Sequence, residues 1–224
     1  MPGLLCGFGD RSAEPPPQTV LLVRQVHGRR IVEGNLQAYA ADHPDGLRRI
    51  DEEADALVAR QPGIVVGVRT ADCVPILLVA RESRWAAAVH AGWRGTLAEI
   101  VREAVAAARA AGVPASELEA ALGPSIGPCC YEVSPELAAD FSRAGIAPAY
   151  GGDDRERKDA AADIALRPHL DLRLANRILL EQSGVSAEKI QLVGPCTRCA
   201  HERYHSYRAE PGSDGRQVSW IGWK

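Results

Sequence analysis

The stretch "VPILLVARESRWAAAVHAGW", residues 74–93, constrains the chain more than any other. It holds two near-continuous apolar runs joined by the polar turn "RESR". Strands that stay apolar at every position, without alternation, belong to sheets covered on both faces. The pattern therefore predicts a buried sheet between other layers. Further β-type runs are "TVLLVRQVHG" (19–28), "GIVVGVRTADC" (63–73), "LEAALG" (118–123), "KIQLVG" (189–194) and "RQVSWIGW" (216–223). "GRRIVEGN" (28–35) is expected to pair with the first of these. Helical signals alternate with them. Thr96 and Glu99 read as a capping box, ahead of Leu97, Ile100, Val101, Ala104, Val105 and Ala108 at helical spacing, ended by Gly112. "SPELAADFSRAG" (134–145) has Ser134 as its cap and Pro135 in its first turn, and "DLRLANRILLEQSG" (171–184) is capped by Asp171. The polar stretch "AYGGDDRERKDAA" (149–161) reads as a surface loop. The expectation is one mixed α/β domain over residues 1–224.

The formal net charge of −3 offers no basic field, so neither nucleic acid nor an anionic membrane is an expected partner. No apolar run reaches the length of a membrane span, and the N-terminal segment lacks the pattern of a signal peptide. A cytoplasmic protein is expected, with its six cysteines as thiols or metal ligands and not disulfides.

Two places compete as a metal site. "HERYH" (201–205) spells the H-E-x-x-H of zinc proteases, and Cys196 and Cys199 lie just upstream in "CTRC". A zincin needs its histidines on one helix face. Here Pro195 and Pro211 bracket a segment with no helical periodicity, and no later histidine supplies a third ligand. A structural zinc on Cys196, Cys199, His201 and His205 has suitable ligand types but a single residue between the two pairs. The stretch is therefore read as surface or pocket residues with a buried Cys196.

The second place is dispersed. His27, Cys73 and His90 each end an apolar run, so the three are expected to meet at one sheet edge. Two imidazoles and a thiolate suit zinc with an open fourth position, or copper. Arg94, in a glycine-flanked loop before the predicted helix, is placed to hold an anion. Taken singly, each of the three donors is an ordinary buried side chain; taken together they point to a site.

In this order, "QVHG", "ADALV", "TADCVPILL", "AAVHAGWRGT", "LGPSIGPCCYEV", "NRILL" and "CTRC…HSYR" resemble the YfiH-like laccase-domain family, also called multicopper polyphenol oxidases or purine nucleoside phosphorylases. The resemblance runs from about Gln25 to Arg208. It implies a single α/β domain with layered mixed sheets flanked by helices. It also implies zinc on His27, Cys73 and His90, phosphorolysis of adenosine, inosine and methylthioadenosine, and deamination of adenosine. The partners implied are a purine nucleoside and phosphate. Arg94, Ser206 and Arg208 are the expected substrate contacts, with Arg94 first for phosphate, and Asp72 is a candidate general acid by adjacency. Two departures stand out. Family members carry a longer N-terminal block that helps hold the nucleoside, of which "GFGDR" (7–11) remains, and His205 stands where an aromatic residue usually precedes "SYR". Rival readings are a copper-dependent polyphenol oxidase, a thiol hydrolase built on Cys73 and His90, and a non-catalytic binding protein. Ordinary multicopper oxidases draw on H-x-H pairs, and this chain has six histidines and no such pair.

Overall fold

A computed structural model describes residues 3–12, 18–35, 46–146, 150–151 and 168–224. The chain runs β1 (Leu4–Phe8), β2 (Val20–Arg24), β3 (Ile31–Glu33), β4 (Leu47–Glu53), β5 (Ala56–Ala59), β6 (Val65–Thr70), β7 (Val74–Ala80), β8 (Trp85–Ala91), α1 (Trp93–Leu97), α2 (Ile100–Ala110), β9 (Glu119–Leu122), α3 (Pro135–Arg143), β10 (Tyr150–Gly151), β11 (Pro168–His169), α4 (Leu172–Gln182), β12 (Ile190–Leu192) and β13 (Gln217–Trp223). A five-stranded mixed sheet has the order β1-β13-β6-β2-β4, and a six-stranded mixed sheet the order β12-β9-β7-β8-β5-β3. β10 and β11 form a separate antiparallel pair. Most of the predicted loop 149–161 lies outside the described residues.

The hairpin β7–β8 is the centre of the six-stranded sheet, in register from Val74 opposite Ala91 to Ala80 opposite Trp85. Both strands are buried at every position, as their unbroken apolar runs require. Side chains alternate between faces. Ile76, Leu78, Trp85, Ala87 and Val89 turn to a core completed by α2 and α4. Leu77, Val79, Ala86 and Ala88 turn to a core shared with the five-stranded sheet through Leu21, Val66, Val68 and Ile221. The layers are thus helices, six-stranded sheet, five-stranded sheet, and the small side chains of Ala86 and Ala88 keep the inner faces close. Each fully buried leucine or isoleucine here contributes about 1.5–3 kcal/mol of transfer free energy.

Ser134 and Asp171 cap α3 and α4 as predicted, accepting from the backbone N–H groups of Leu137 and Leu174. Two local expectations fail. β3 pairs with β5 in the six-stranded sheet and not with β2. The capping box does not form either. Thr96 lies inside α1, where its hydroxyl accepts a 3.0 Å hydrogen bond from the Asn176 side chain of α4. The α2 helix then starts after Glu99, whose φ of 60° breaks the chain between two helices. A tertiary bond has taken the hydroxyl that a cap would have used. Asn176 also donates to the Leu172 carbonyl at 2.8 Å and is fully buried. Asn176→Ala, which strands the buried Thr96 hydroxyl, should lower the free energy of unfolding in urea by about 1–3 kcal/mol.

Candidate active site

His27 follows β2 of the five-stranded sheet, Cys73 lies where the chain crosses from β6 to β7, and His90 sits near the end of β8 in the six-stranded sheet. The donors therefore meet between two sheets, not along one edge as the sequence suggested. β6 and β7 belong to different sheets, which apolar runs alone do not reveal. The ligand atoms of the three residues lie within 4.8 Å of one another. The two imidazoles meet edge to face, with ring centroids 4.8 Å apart and planes at 75°. Gly92 explains the glycine of "HAGW": a Cβ there would come within 2.9 Å of the Cys73 sulfur and 3.1 Å of the His27 ring.

Asp55 orders this arrangement. It immediately precedes β5, whose Ala56 pairs with Val89, so Asp55 lies beside His90 on the face toward the other sheet. Its Oδ1 meets His90 Nδ1 at 2.7 Å, and both side chains are buried. The carboxylate also accepts from the backbone N–H groups of Val26 (3.2 Å), His27 (2.9 Å) and Gly28 (2.7 Å). This nest holds His27 in a left-handed conformation, φ 60°, which a residue with a side chain adopts only under constraint. Burial works against the Asp55 charge, but the bonds from His90, Gly28 and Val26 prevail and hold the carboxyl below its ordinary value. With Nδ1 engaged, His90 presents Nε2 to Cys73.

Burial also opposes charge on Cys73, yet the bonds and charges of His27 and His90 pull its thiol down to about 6. His90 is raised to about 9 because Asp55 and Cys73 outweigh its burial. At neutral pH these shifts favour a Cys73 thiolate beside a protonated His90, whose Nε2 proton an incoming ion would displace. That donor set fits one ion with bonds to sulfur and nitrogen of about 2.3 and 2.0–2.1 Å, and a buried carboxylate behind a ligating histidine is the usual support of such sites.

The three donors line a cavity of about 820 Å³ together with Thr70, Asp72, Tyr131 and Arg208. Asp72, with φ 89°, accepts from the Thr197 hydroxyl and the Arg208 backbone N–H, each at 2.7 Å, one on each carboxylate oxygen. Both oxygens thus accept bonds within the protein, an arrangement that fixes the two loops. Arg208 lies 5.4 Å over the Tyr131 ring, and its guanidinium donates to the carbonyls of Cys130 and Glu132. Burial pushes the Tyr131 phenol up to about 12, so it stays a donor.

Arg94 is exposed on α1, stacked 4.2 Å from the ring of its neighbour Trp93, and does not belong to the cavity lining. Ser206 is buried, and its hydroxyl accepts from the Ala209 N–H. Tyr207, between Ser206 and Arg208, does line the cavity. "HERYH" forms turns, not a helix. His201 is at the surface beside the Arg198 carbonyl, and His205 packs against Gly215. Neither joins a group of potential ligands among the described residues. Cys196 and Cys199 instead meet Cys129 and Cys130. Asp55 and Tyr131 were the residues sequence reasoning passed over. A lone aspartate in the apolar stretch "ADALV" was the available signal for the first.

The chain matches the family described as multi-copper polyphenol oxidoreductase laccase over residues 10–224. It is 36% identical over 204 residues to adenosine deaminase RL5 of an unknown prokaryotic organism, covering 90% of this chain and 74% of that protein. A purine nucleoside phosphorylase of Deinococcus radiodurans is 35% identical over 200 residues, covering 89% and 68%. The crystal structure of YlmD from Geobacillus stearothermophilus has the same mixed α/β fold, with a TM-score of 0.76 at 27% identity over 93% of this chain and 75% of that one.

Asp55→Asn keeps a carbonyl for the backbone N–H groups but turns an amide donor toward His90 Nδ1. The imidazole must then accept at Nδ1 and carry its proton on Nε2, the wrong tautomer for a ligand. Metal affinity, measured by chelator competition, should fall roughly tenfold to a hundredfold.

Proposed function

The chain belongs to the multi-copper polyphenol oxidoreductase laccase family, and from that premise we propose that it is a zinc-dependent purine nucleoside enzyme. Its reactions are the phosphorolysis of adenosine, inosine and methylthioadenosine, and the deamination of adenosine. The observation that supports this most is the placement of His27, Cys73 and His90 on a cavity that also holds an aromatic phenol and an arginine. A cavity of about 820 Å³ accommodates a nucleoside with phosphate. The relatives named adenosine deaminase and purine nucleoside phosphorylase point to the same substrate class.

His27, Cys73 and His90 hold the zinc in this reading. With one position open, zinc supplies Lewis acidity and a nucleophile at neutral pH. Asp55 fixes the tautomer and orientation of His90. Tyr131 offers a ring face for the base and a phenol that keeps its proton. Arg208, braced by two backbone carbonyls, presents its remaining N–H groups to phosphate. It takes precedence over Arg94, which stands outside the lining. Asp72, on the cavity lining, holds the backbone of Arg208 and, through Thr197, the neighbouring loop, and is the candidate general acid for the leaving ammonia. Ser206 supports the turn that carries Tyr207 and Arg208.

A second reading, copper-dependent oxidation of phenols, is favoured by the donor set itself, since a thiolate with two imidazoles also suits copper. A third, thiol hydrolysis, is favoured by the depressed Cys73 thiol beside His90. Three measurements separate them. In protein purified without added copper, Cys73→Ser should lose one equivalent of zinc per chain and all nucleoside turnover. Phenol oxidation with copper, and no turnover of any nucleoside with or without phosphate, would overturn the proposal. Zinc, and not substrate, should protect Cys73 from alkylation; protection by substrate alone would favour the thiol hydrolase. Arg208→Ala should raise the KM for phosphate roughly tenfold to a hundredfold, the loss of a charge-assisted bond. It should leave adenosine deamination far less affected, and Arg94→Ala should leave the phosphate KM unchanged.

A further inference from the structure

The four cysteines outside the active site converge. Cys129 and Cys130 sit in the loop after β9, and Cys196 and Cys199 in the turn after β12, about seventy residues away. Their sulfur atoms all lie within 4.8 Å of one another, with Cys129 to Cys199 at 3.6 Å and Cys130 to Cys199 at 3.4 Å. Disulfides need about 2.05 Å, so these are not bonded pairs. Four sulfurs around one ion at about 2.3 Å stand about 3.8 Å apart at the corners of a tetrahedron, which is close to the observed spacing. A polynuclear iron–sulfur cluster needs a wider set of thiolates than this one.

Two further features shape the site around sulfur. The Gly127 backbone N–H donates to the Cys196 sulfur at 3.2 Å, the kind of bond that supports a thiolate ligand. A Cβ on Gly127 would lie 3.3 Å from the Cys196 Cβ and 3.4 Å from the Cys129 sulfur, so the glycine leaves room for the cluster. Cys130 and Cys196 are buried, whereas Cys129 and Cys199 reach the surface, which leaves a path for an ion.

We propose that Cys129, Cys130, Cys196 and Cys199 form a second, structural site for a single thiophilic divalent ion of the zinc class, held by four sulfurs, which fastens two loops of the cavity wall. Binding exchanges the thiol protons for the ion, and the protons leave to solvent. The two loops already touch at the bridge between Ser125 and Cys196 and through the Thr197 N–H on the Ser125 carbonyl. One carries Ile126 and Tyr131 into the cavity; the other leads to Thr197, the partner of Asp72. Arg208 donates to the carbonyl of Cys130 itself. The ion is a clamp on this wall and takes no part in the chemistry at His27, Cys73 and His90, so the proposal stands apart from the reading of that site.

The test uses the full chain, purified under reducing conditions, stripped with a chelator and reloaded with cobalt(II). Wild-type protein should show the intense sulfur-to-cobalt absorption of a tetrathiolate site. Cys196→Ser/Cys199→Ser should lose that band and one equivalent of metal per chain, while Cys73→Ser keeps the band. As a check that needs no variant, zinc should shield Cys129, Cys130, Cys196 and Cys199 of the wild type from alkylation, and a chelator should expose them. Equal metal content and equal spectra in wild type and double variant would overturn the proposal. So would alkylation indifferent to zinc, or an unreduced mass short of four hydrogens with these thiols blocked, which would mark two disulfides.

Discussion

A carboxylate buried away from water costs several kcal/mol unless donors surround it, and Asp55 meets that condition only when separate parts of the chain come together. The N–H groups of Val26, His27 and Gly28 arrive from the end of β2, and the imidazole of His90 from β8. Neither set alone satisfies the charge. The five-stranded and six-stranded sheets must therefore stack in one relative position before the carboxylate is paired, and that position is also the one that brings His27, Cys73 and His90 within reach of one another. Folding and the assembly of the donor set are solved by the same group.

Backbone strain follows the same logic. His27 and Asp72 both occupy left-handed conformations without being glycine, and both lie on the cavity. Such residues cost on the order of 1–3 kcal/mol each and persist where surrounding bonds over-determine them. At His27 the nest around Asp55 provides those bonds. At Asp72 they come from Thr197, from the Arg208 backbone and from the Ile126 N–H on the Asp72 carbonyl. The strained turns set the directions in which the His27 ring and the Cys73 sulfur project.

Much of this was legible in the sequence because it is local. The apolar runs of β7 and β8 announced a doubly covered sheet, and the caps at Ser134 and Asp171 marked two helices. What escaped was set by distant partners. β4, "LRRIDEE", carries too many charges to read as a strand, yet lies on the sheet edge where charged side chains find water. Thr96 looked like a cap until Asn176, eighty residues on, claimed its hydroxyl. "HERYH" drew attention because its spacing is visible in one dimension, whereas Cys196 and Cys199 find their partners in "PCCY" across the fold. Asp55 was readable in principle, since a lone acid in an apolar run is either exposed or firmly paired.

The placement of the donors across two sheets has a thermodynamic consequence. An unfolded chain, with His27, Cys73 and His90 spread along it, has no preformed site for an ion, whereas the folded chain sets these donors between both layers. Whatever occupies that seam stabilises the stacked state by RT ln(1 + [L]/Kd), so each tenfold rise in free ion above Kd adds about 1.4 kcal/mol. With an ion bound there, the resistance of this molecule to heat would not be a fixed property of its sequence. It would become a reading of the metal concentration in the solution around it.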